Sequence, residues 1–146
     1  MTKRLLDGLD RRLNRREFVH PDPLEFLYLY EYPAEREVVG LIASALAYGR
    51  VKQILGSVSE ALRRVGDSPC RLVQETSEKE MARRFKGFRH RFTSGEEMAK
   101  LLSGAGWLMK RHGSLGRAFA AGVGEGDDSV LPAMCSFVEG IAGEGG

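Results

Sequence analysis

Apolar residues recur every three or four positions along most of this chain, which is the spacing of one face of an α-helix. The first segment shows it in its leucines from Leu5 to Leu13, with Thr2 as the expected N-cap and an end near Arg16. Asp22 followed by Pro23 predicts the start of a short helix over residues 23–28. Longer helices are predicted over residues 33–48, 51–65 and 94–112, with a last one from about residue 129 and short helical segments between them.

The segment over residues 33–48 is predicted to be the central and most buried helix, because its apolar face is interspersed with small residues such as Gly40 and Ala43. No stretch alternates apolar and polar residues with a period of two, so no sheet is predicted. Four glycines over residues 140–146 predict a flexible tail. The pattern therefore predicts an all-α fold: a single, compact, orthogonal multi-helix domain of about six to eight helices over residues 1–146.

Composition narrows the setting in which such a domain works. The longest strongly apolar run, residues 38–48, is far shorter than the ~20 residues that span a bilayer, so no membrane partner is predicted. The charged N-terminus does not resemble an export signal. Cys70 and Cys135 are the two thiols of the chain, which is typical of a reducing compartment and predicts a cytoplasmic location.

The net charge of +2 conceals an uneven distribution of charge along the chain. Residues 83–91 hold five basic side chains and no acidic one, whereas no lysine or arginine follows Arg117. Such clustering indicates a basic face for an anionic partner such as DNA or RNA, although basic residues also commonly coat solvated helix surfaces. The basic cluster consists of Arg83, Arg84, Lys86, Arg89 and Arg91.

Two short segments carry the candidate binding residues. In residues 85–92, aromatic and basic side chains alternate, so Lys86, Arg89 and Arg91 are candidates for contact with nucleic-acid phosphates. The alternative is a turn whose phenylalanines fill the core. The second segment follows the predicted central helix, where Gly49 permits a tight turn and the next helix begins. Its candidate residues are Tyr48, Arg50, Lys52 and Gln53, and the alternative is an ordinary helix–helix corner.

The residue types needed for catalysis or metal binding are scattered. No histidines or cysteines stand at ligand spacing, so no metal site and no cofactor are predicted. Cys135 lies on an apolar helix face and is expected to be a buried, inert thiol. Gly122-Val123-Gly124 is followed by acidic residues, which favours a connector over a phosphate-binding turn. Asp22 and Glu25 offer an enzymatic alternative, but an Asp-Pro at a helix start is usually a cap, so no catalytic residue is predicted.

Three stretches resemble an uncharacterised bacterial family, catalogued as a domain of unknown function. They are His20-Pro21-Asp22-Pro23, the run over residues 37–51 that includes Gly49, and His90-Arg91-Phe92. That family is more distantly similar to the helix-hairpin-helix base-excision DNA glycosylases.

The resemblance implies a glycosylase-like N-terminal half of a longer family fold, with Tyr48, Arg50 and Gln53 facing the DNA-binding cleft. It also implies a nucleic-acid-binding module related to DNA repair, without a complete catalytic apparatus, because no catalytic aspartate or hairpin motif is found. The alternative is a helical protein-interaction or homo-oligomeric domain without catalytic activity.

Overall fold

A computed structural model describes residues 2–143 of the 146-residue chain. Eight α-helices dominate this part of the chain, which confirms the predicted all-α fold. They are α1 (Lys3–Leu13), α2 (Pro33–Ala45), α3 (Val51–Val65), α4 (Pro69–Glu75), α5 (Glu78–Arg84), α6 (Gly95–His112), α7 (Leu115–Ala120) and α8 (Leu131–Gly143).

Several helix ends differ from those predicted. Helix α1 ends at Leu13 rather than near Arg16, and α2 ends at Ala45 rather than at Tyr48. The segment after Asp22 is a 3₁₀ helix, Pro23–Leu29, and a second 3₁₀ turn covers Arg16–Phe18. Thr2 precedes α1 in extended conformation, but its side chain makes no capping hydrogen bond.

A two-stranded antiparallel sheet, which the sequence did not predict, lies between α5 and α6. Strand β1 (Arg89–His90) pairs with β2 (Thr93–Ser94), so that Arg89 faces Ser94 and His90 faces Thr93. Strands of two residues are too short to show the alternation that identifies a strand in a sequence. The hairpin is nevertheless important, because it holds part of the predicted basic cluster.

The central helix is α6, not α2 as predicted. Nine of its eighteen residues are buried, and α4, α5, α7 and α8 all pack against it. Its glycines allow very close approach: a Cβ added at Gly106 would lie 1.8 Å from the carbonyl oxygen of Val73 in α4. One added at Gly104 would lie 2.1 Å from that of Ile141 in α8. Backbone therefore packs directly on backbone around α6.

Helix α8 also corrects two predictions. The expected flexible tail over residues 140–146 is helical up to Gly143, and the remaining three residues lie outside the described part of the chain. Gly140 packs against Leu108 of α6, because a Cβ added there would lie 3.1 Å from the Leu108 Cδ2 atom. Cys135, expected to be buried, is exposed because α8 turns Ala133 rather than Cys135 towards the core.

Between residues 2 and 143, no helix is both long and apolar enough to cross a membrane. The cytoplasmic location stays a prediction.

Two glutamates of α2 hold the beginnings of two other helices. The Glu35 carboxylate accepts a hydrogen bond from the backbone N–H of Cys70 at 2.7 Å, at the start of α4. The Glu37 carboxylate accepts from the N–H groups of Leu115 and Gly116 at 2.8 and 3.1 Å, at the start of α7. Carboxylates stabilise helix N-termini because the first N–H groups have no partner within the helix. These contacts fix α4 and α7 against α2.

We expect Glu37→Ala to lower the free energy of unfolding by about 1–3 kcal/mol, because two backbone N–H groups lose a charged acceptor. Urea denaturation followed by circular dichroism measures the change. The matched control is Glu31→Ala, which removes an exposed carboxylate just before α2 and should change stability by less than about 0.5 kcal/mol. Equal effects of the two variants would contradict the capping role.

Candidate nucleic-acid interface

The turn between α2 and α3 contains the first group of predicted site residues. Gly49 adopts a left-handed φ of +108°, which lets the chain reverse direction after Tyr48. Arg50 then takes an extended conformation and precedes α3 without capping it through its side chain. The side chain of Arg50 therefore does not cover the N-terminus of α3. Three exposed residues of the predicted site surround this end of the helix: Arg50, Lys52 and Gln53.

His90 joins this turn to the β1–β2 hairpin. The residue is only 2 % exposed. The Nε2 atom lies 3.0 Å from the carbonyl oxygen of Tyr48, and Nδ1 lies 2.8 Å from the hydroxyl of Ser57 in α3. Because a carbonyl oxygen only accepts hydrogen bonds, Nε2 donates to it. One side chain thus ties the hairpin to both the turn and α3.

Tyr48 strengthens the same connection from the opposite direction. Its hydroxyl donates to the carbonyl oxygen of His90 at 2.9 Å and lies 2.7 Å from the hydroxyl of Thr93. The backbone N–H of Thr93 donates to the Tyr48 hydroxyl at 3.2 Å. The rings of Tyr48 and His90 meet edge to face at 4.8 Å. Tyr48 is therefore half-buried and holds the hairpin, and its hydroxyl is fully engaged within the protein.

Three of the predicted residues line one open cleft between α3 and the hairpin. Gln53, Arg89 and Arg91 surround a cavity of about 250 Å³. The carboxylate of the cleft, Glu60, accepts two hydrogen bonds from Arg64, at 2.6 and 3.1 Å. A paired carboxylate repels an incoming anion less than a free one, so the two arginines dominate the charge of this cleft. The remaining lining residues are Gly56, Ser57, Glu60 and His90.

Arg91 also covers the turn itself. A Cβ added at Gly49 would lie 2.8 Å from the Arg91 Cδ atom and 3.0 Å from its Nη1. Arg91 has a positive φ of 50°, which is uncommon for a residue other than glycine. The two predicted segments therefore touch each other, and the missing side chain at Gly49 makes room for the arginine.

The three phenylalanines of residues 85–92 do not all behave alike: two fill the core and one is exposed to solvent. Phe85 and Phe88 are buried in the core, as the structural alternative predicted. Phe92, at the tip of the hairpin, is 80 % exposed. The guanidinium of Arg91 lies 5.7 Å from the centre of the Phe92 ring. An uncovered aromatic ring with a cation beside it stands at the edge of the basic cleft.

Lys52 and Lys86 do not line this cleft, although both are exposed. The carbonyl oxygen of Lys86 accepts a hydrogen bond from Arg64 at 3.0 Å, and that of Arg84 accepts another at 2.9 Å. Arg64 was not singled out in the sequence, yet it fixes the segment before the hairpin to α3. The spacing of Glu60 and Arg64, four residues apart on a predicted helix, is the sequence signal by which their pairing could have been predicted.

An acidic residue also stands close to the hairpin. The backbone N–H and the hydroxyl of Ser94 donate to the Glu97 carboxylate at 2.6 and 2.9 Å. These hydrogen bonds lower the pKa of Glu97, with smaller contributions from the charges of Arg89 and Lys100. Ser94 is the N-cap of α6, and Glu97 is thereby held as the N3 residue of its capping box.

The family-like residues around His20 form a local structure of their own. The Asp22 carboxylate accepts a hydrogen bond from the N–H of Leu24 at 2.8 Å, which confirms that it caps the 3₁₀ helix. His20, whose bond to Pro21 is cis, has its Nδ1 atom 2.6 Å from the Glu25 carboxylate. Pro23 begins the 3₁₀ helix. None of these residues lines the cleft formed by Arg89 and Arg91.

Within residues 2–143, no three histidine, cysteine, aspartate or glutamate side chains come together as a metal site would require.

Burial raises the pKa of the Cys70 thiol, and the nearby Glu35 and Glu37 charges add to the effect. A raised pKa keeps the thiol protonated and makes Cys70 a poor nucleophile.

A family model described as "Protein of unknown function (DUF2400)" matches residues 22–144. Comparisons with curated proteins and with solved structures give no match. The distant likeness to DNA glycosylases therefore stays a prediction.

Proposed function

We propose that this chain, which belongs to the DUF2400 family of proteins of unknown function, binds single-stranded nucleic acid. The binding surface consists of Gln53, Arg89, Arg91 and Phe92 and is called the hairpin surface below. The observation that supports it best is the exposed Phe92 ring beside two arginines that line one cleft. We propose the binding step alone; a role in DNA repair would use this surface to hold the strand.

The charge of the surface favours a phosphate backbone as its ligand. Arg89 and Arg91 are both exposed, and the carboxylate of Glu60 in their cleft is already paired with Arg64. Arginine side chains bind phosphate oxygens through several N–H groups at once, which makes them suited to this task. Arg50 and Lys52 add positive charge at the start of α3, where helix N–H groups also attract anions.

The exposed ring favours unpaired bases over a duplex. Covering the exposed face of a large aromatic side chain removes apolar surface from water and is therefore favourable. A base in a single strand is free to stack on such a ring, and each stacking contact contributes about 1–3 kcal/mol. In a duplex the bases already stack on one another, so Phe92 has no flat base face to cover. Gln53, in the adjoining cleft, supplies an amide that hydrogen-bonds to base edges or phosphates.

Fluorescence anisotropy with labelled single-stranded and duplex DNA tests the proposal. We expect tighter binding to the single strand and a roughly tenfold loss of affinity between about 50 and 200 mM salt, as for two or three phosphate contacts. Phe92→Ala should weaken binding by roughly 5- to 150-fold, since it removes one stacking contact. Arg89→Glu should weaken it by roughly tenfold or more.

Arg117→Glu is the matched control for Arg89→Glu. It makes the same change of charge at an exposed position of α7, which packs on α2, α6 and α8. Because Phe92 is mostly exposed, Phe92→Ala should leave the free energy of unfolding nearly unchanged. Binding that is absent at low salt, indifferent to salt, or equally weakened by Arg117→Glu would contradict the proposal.

A further inference from the structure

Two helices carry apolar stripes that no other part of residues 2–143 covers. Helix α1 has no buried residue, and its leucines Leu5, Leu6 and Leu13 are 52 %, 49 % and 59 % exposed. Helix α8 exposes Leu131 and Val138 to 62 % and 60 %, with Met134 between them at 49 %. Both stripes lie on single helices with the apolar spacing of a packed face. Each helix thus has an exposed apolar surface on which another helix could pack.

The exposed stripe of α8 is distinct from the face that packs on the protein. Ala133 is buried, and Phe137 and Ile141 pack against the core. Leu131, Met134 and Val138 lie on a neighbouring side of the same helix, about 100° round its axis, at spacings of three and four. Cys135 is exposed beside them. The helix is therefore apolar on two faces, of which the chain itself covers one.

The charges at the ends of the two stripes are complementary. Asp127 and Asp128 precede Leu131, Glu139 follows Val138, and no lysine or arginine follows Arg117. On α1, Lys3 and Arg4 stand before Leu5, and Arg11 and Arg12 stand before Leu13, so the helix is basic at both ends, with Asp7 and Asp10 between them. Antiparallel packing of α1 on α8 places Arg12 near the two aspartates and Lys3 near Glu139. Parallel packing would likewise bring basic residues to both acidic ends of α8, so the charges match α1 to α8 in either direction and the helix dipoles select the antiparallel one.

The lengths of the stripes agree with this alignment. Leu5 to Leu13 spans about 12 Å along the helix axis, and Leu131 to Val138 spans about 11 Å, at 1.5 Å per residue. Antiparallel packing also brings opposite ends of the two helix dipoles together, which is electrostatically favourable. Within one chain both stripes are exposed at the same time, so the chain's own α1 does not cover its α8.

We propose that α1 of one copy packs antiparallel along α8 of a second copy. When both copies exchange α1 in this way, the two contacts are related by a twofold axis and the assembly closes as a dimer. The partner is identified by its chemistry: a basic amphipathic helix matches an apolar stripe bordered by acids. The proposal concerns a surface other than the hairpin surface, and it is tested without nucleic acid.

Sedimentation equilibrium over a range of protein concentrations tests the assembly. We expect the mass to rise from that of one chain to that of two. Val138→Asp and Leu13→Asp each place a charge in the contact and should both give single chains at every concentration. Because both residues are exposed, the variants should remain folded by circular dichroism. Arg12→Glu should weaken the dimer, and Asp128→Arg in the same chain should restore it.

A cross-link tests the alignment. Leu9 lies in the middle of the α1 stripe and should face Met134 and Cys135 of the partner. Oxidation of the variant L9C should form a disulfide to the native Cys135 and give a dimer on a non-reducing gel. The double variant L9C/C135S should lose this product. Any dimer that remains on the gel would be joined by a disulfide between the L9C positions of two chains.

A single-chain mass at every concentration would overturn the proposal. Association that persists in both aspartate variants, or an L9C–Cys135 disulfide within one chain, would overturn it as well. A basic amphipathic helix can also lie on an anionic membrane surface. Binding of the monomer to phosphatidylserine vesicles that is lost in Leu13→Asp would assign α1 to lipid instead and would likewise overturn the dimer.

Discussion

Replacing Gly106 by alanine is expected to lower the free energy of unfolding by at least about 3 kcal/mol, the upper end of the range for overpacked cores. The added Cβ would lie 1.8 Å from the carbonyl oxygen and 2.6 Å from the carbonyl carbon of Val73. Both are backbone atoms of α4, so no side chain can rotate away to make room. Helices α4 and α6 would have to separate, and the packing of the core around Val73 would be lost. Chemical denaturation followed by circular dichroism measures the loss.

Gly56→Ala is the matched control, because it adds the same methyl group to a glycine inside a long helix. Nothing lies within 4 Å of a Cβ added at Gly56, and the residue is exposed on α3. Alanine is a better helix former than glycine, so this variant should be more stable by roughly 0.5–1 kcal/mol. The two substitutions are therefore expected to change the free energy of unfolding in opposite directions. A Gly106→Ala protein as stable as the parent would show that α4 and α6 do not approach as closely as the structure indicates.

The same glycine explains why the sequence predicts α2, and not α6, as the central helix. Small residues in α2, such as Gly40, indicated close packing, and α2 does bury Val38, Val39 and Ile42. The apolar pattern of α6 instead indicates an ordinary amphipathic helix that is interrupted by Gly104 and Gly106. Only the three-dimensional arrangement shows that these two glycines meet the backbones of α8 and α4. Which helix is central depends on packing between segments far apart in sequence, which local periodicity does not encode.

In the predicted site, too, the sequence indicates the local features but not the contacts between them. Local sequence identified the turn at Gly49 and the basic segment that ends at Arg91, but it did not predict that they touch. His90 lies in one of the family-like stretches and has no other histidine or cysteine at metal-ligand spacing, so the sequence predicts no role for its side chain. In the structure it is a buried bridge between the hairpin, the turn and α3. A histidine that acts through tertiary hydrogen bonds has no spacing signature by which a sequence could identify it.

This bridge supports the second large prediction: His90→Ala should lower the free energy of unfolding by about 2–4 kcal/mol. The variant leaves a cavity where the ring was and removes hydrogen-bonding partners from the carbonyl oxygen of Tyr48 and the hydroxyl of Ser57. It should also weaken single-strand binding, because the hairpin that positions Arg89 and Arg91 loses its attachment to α3. Denaturation and anisotropy on the same protein samples measure both effects.

His90→Gln separates the hydrogen bond from the rest of the side chain. The amide nitrogen of glutamine reaches about as far as Nε2 of histidine and can donate to the Tyr48 carbonyl oxygen, so this variant should recover part of the lost stability. Arg89→Glu supplies the opposite pattern, with weakened binding and nearly unchanged stability, because its side chain is exposed. If His90→Ala weakened binding without loss of stability, His90 would contact the strand itself rather than hold the hairpin in place.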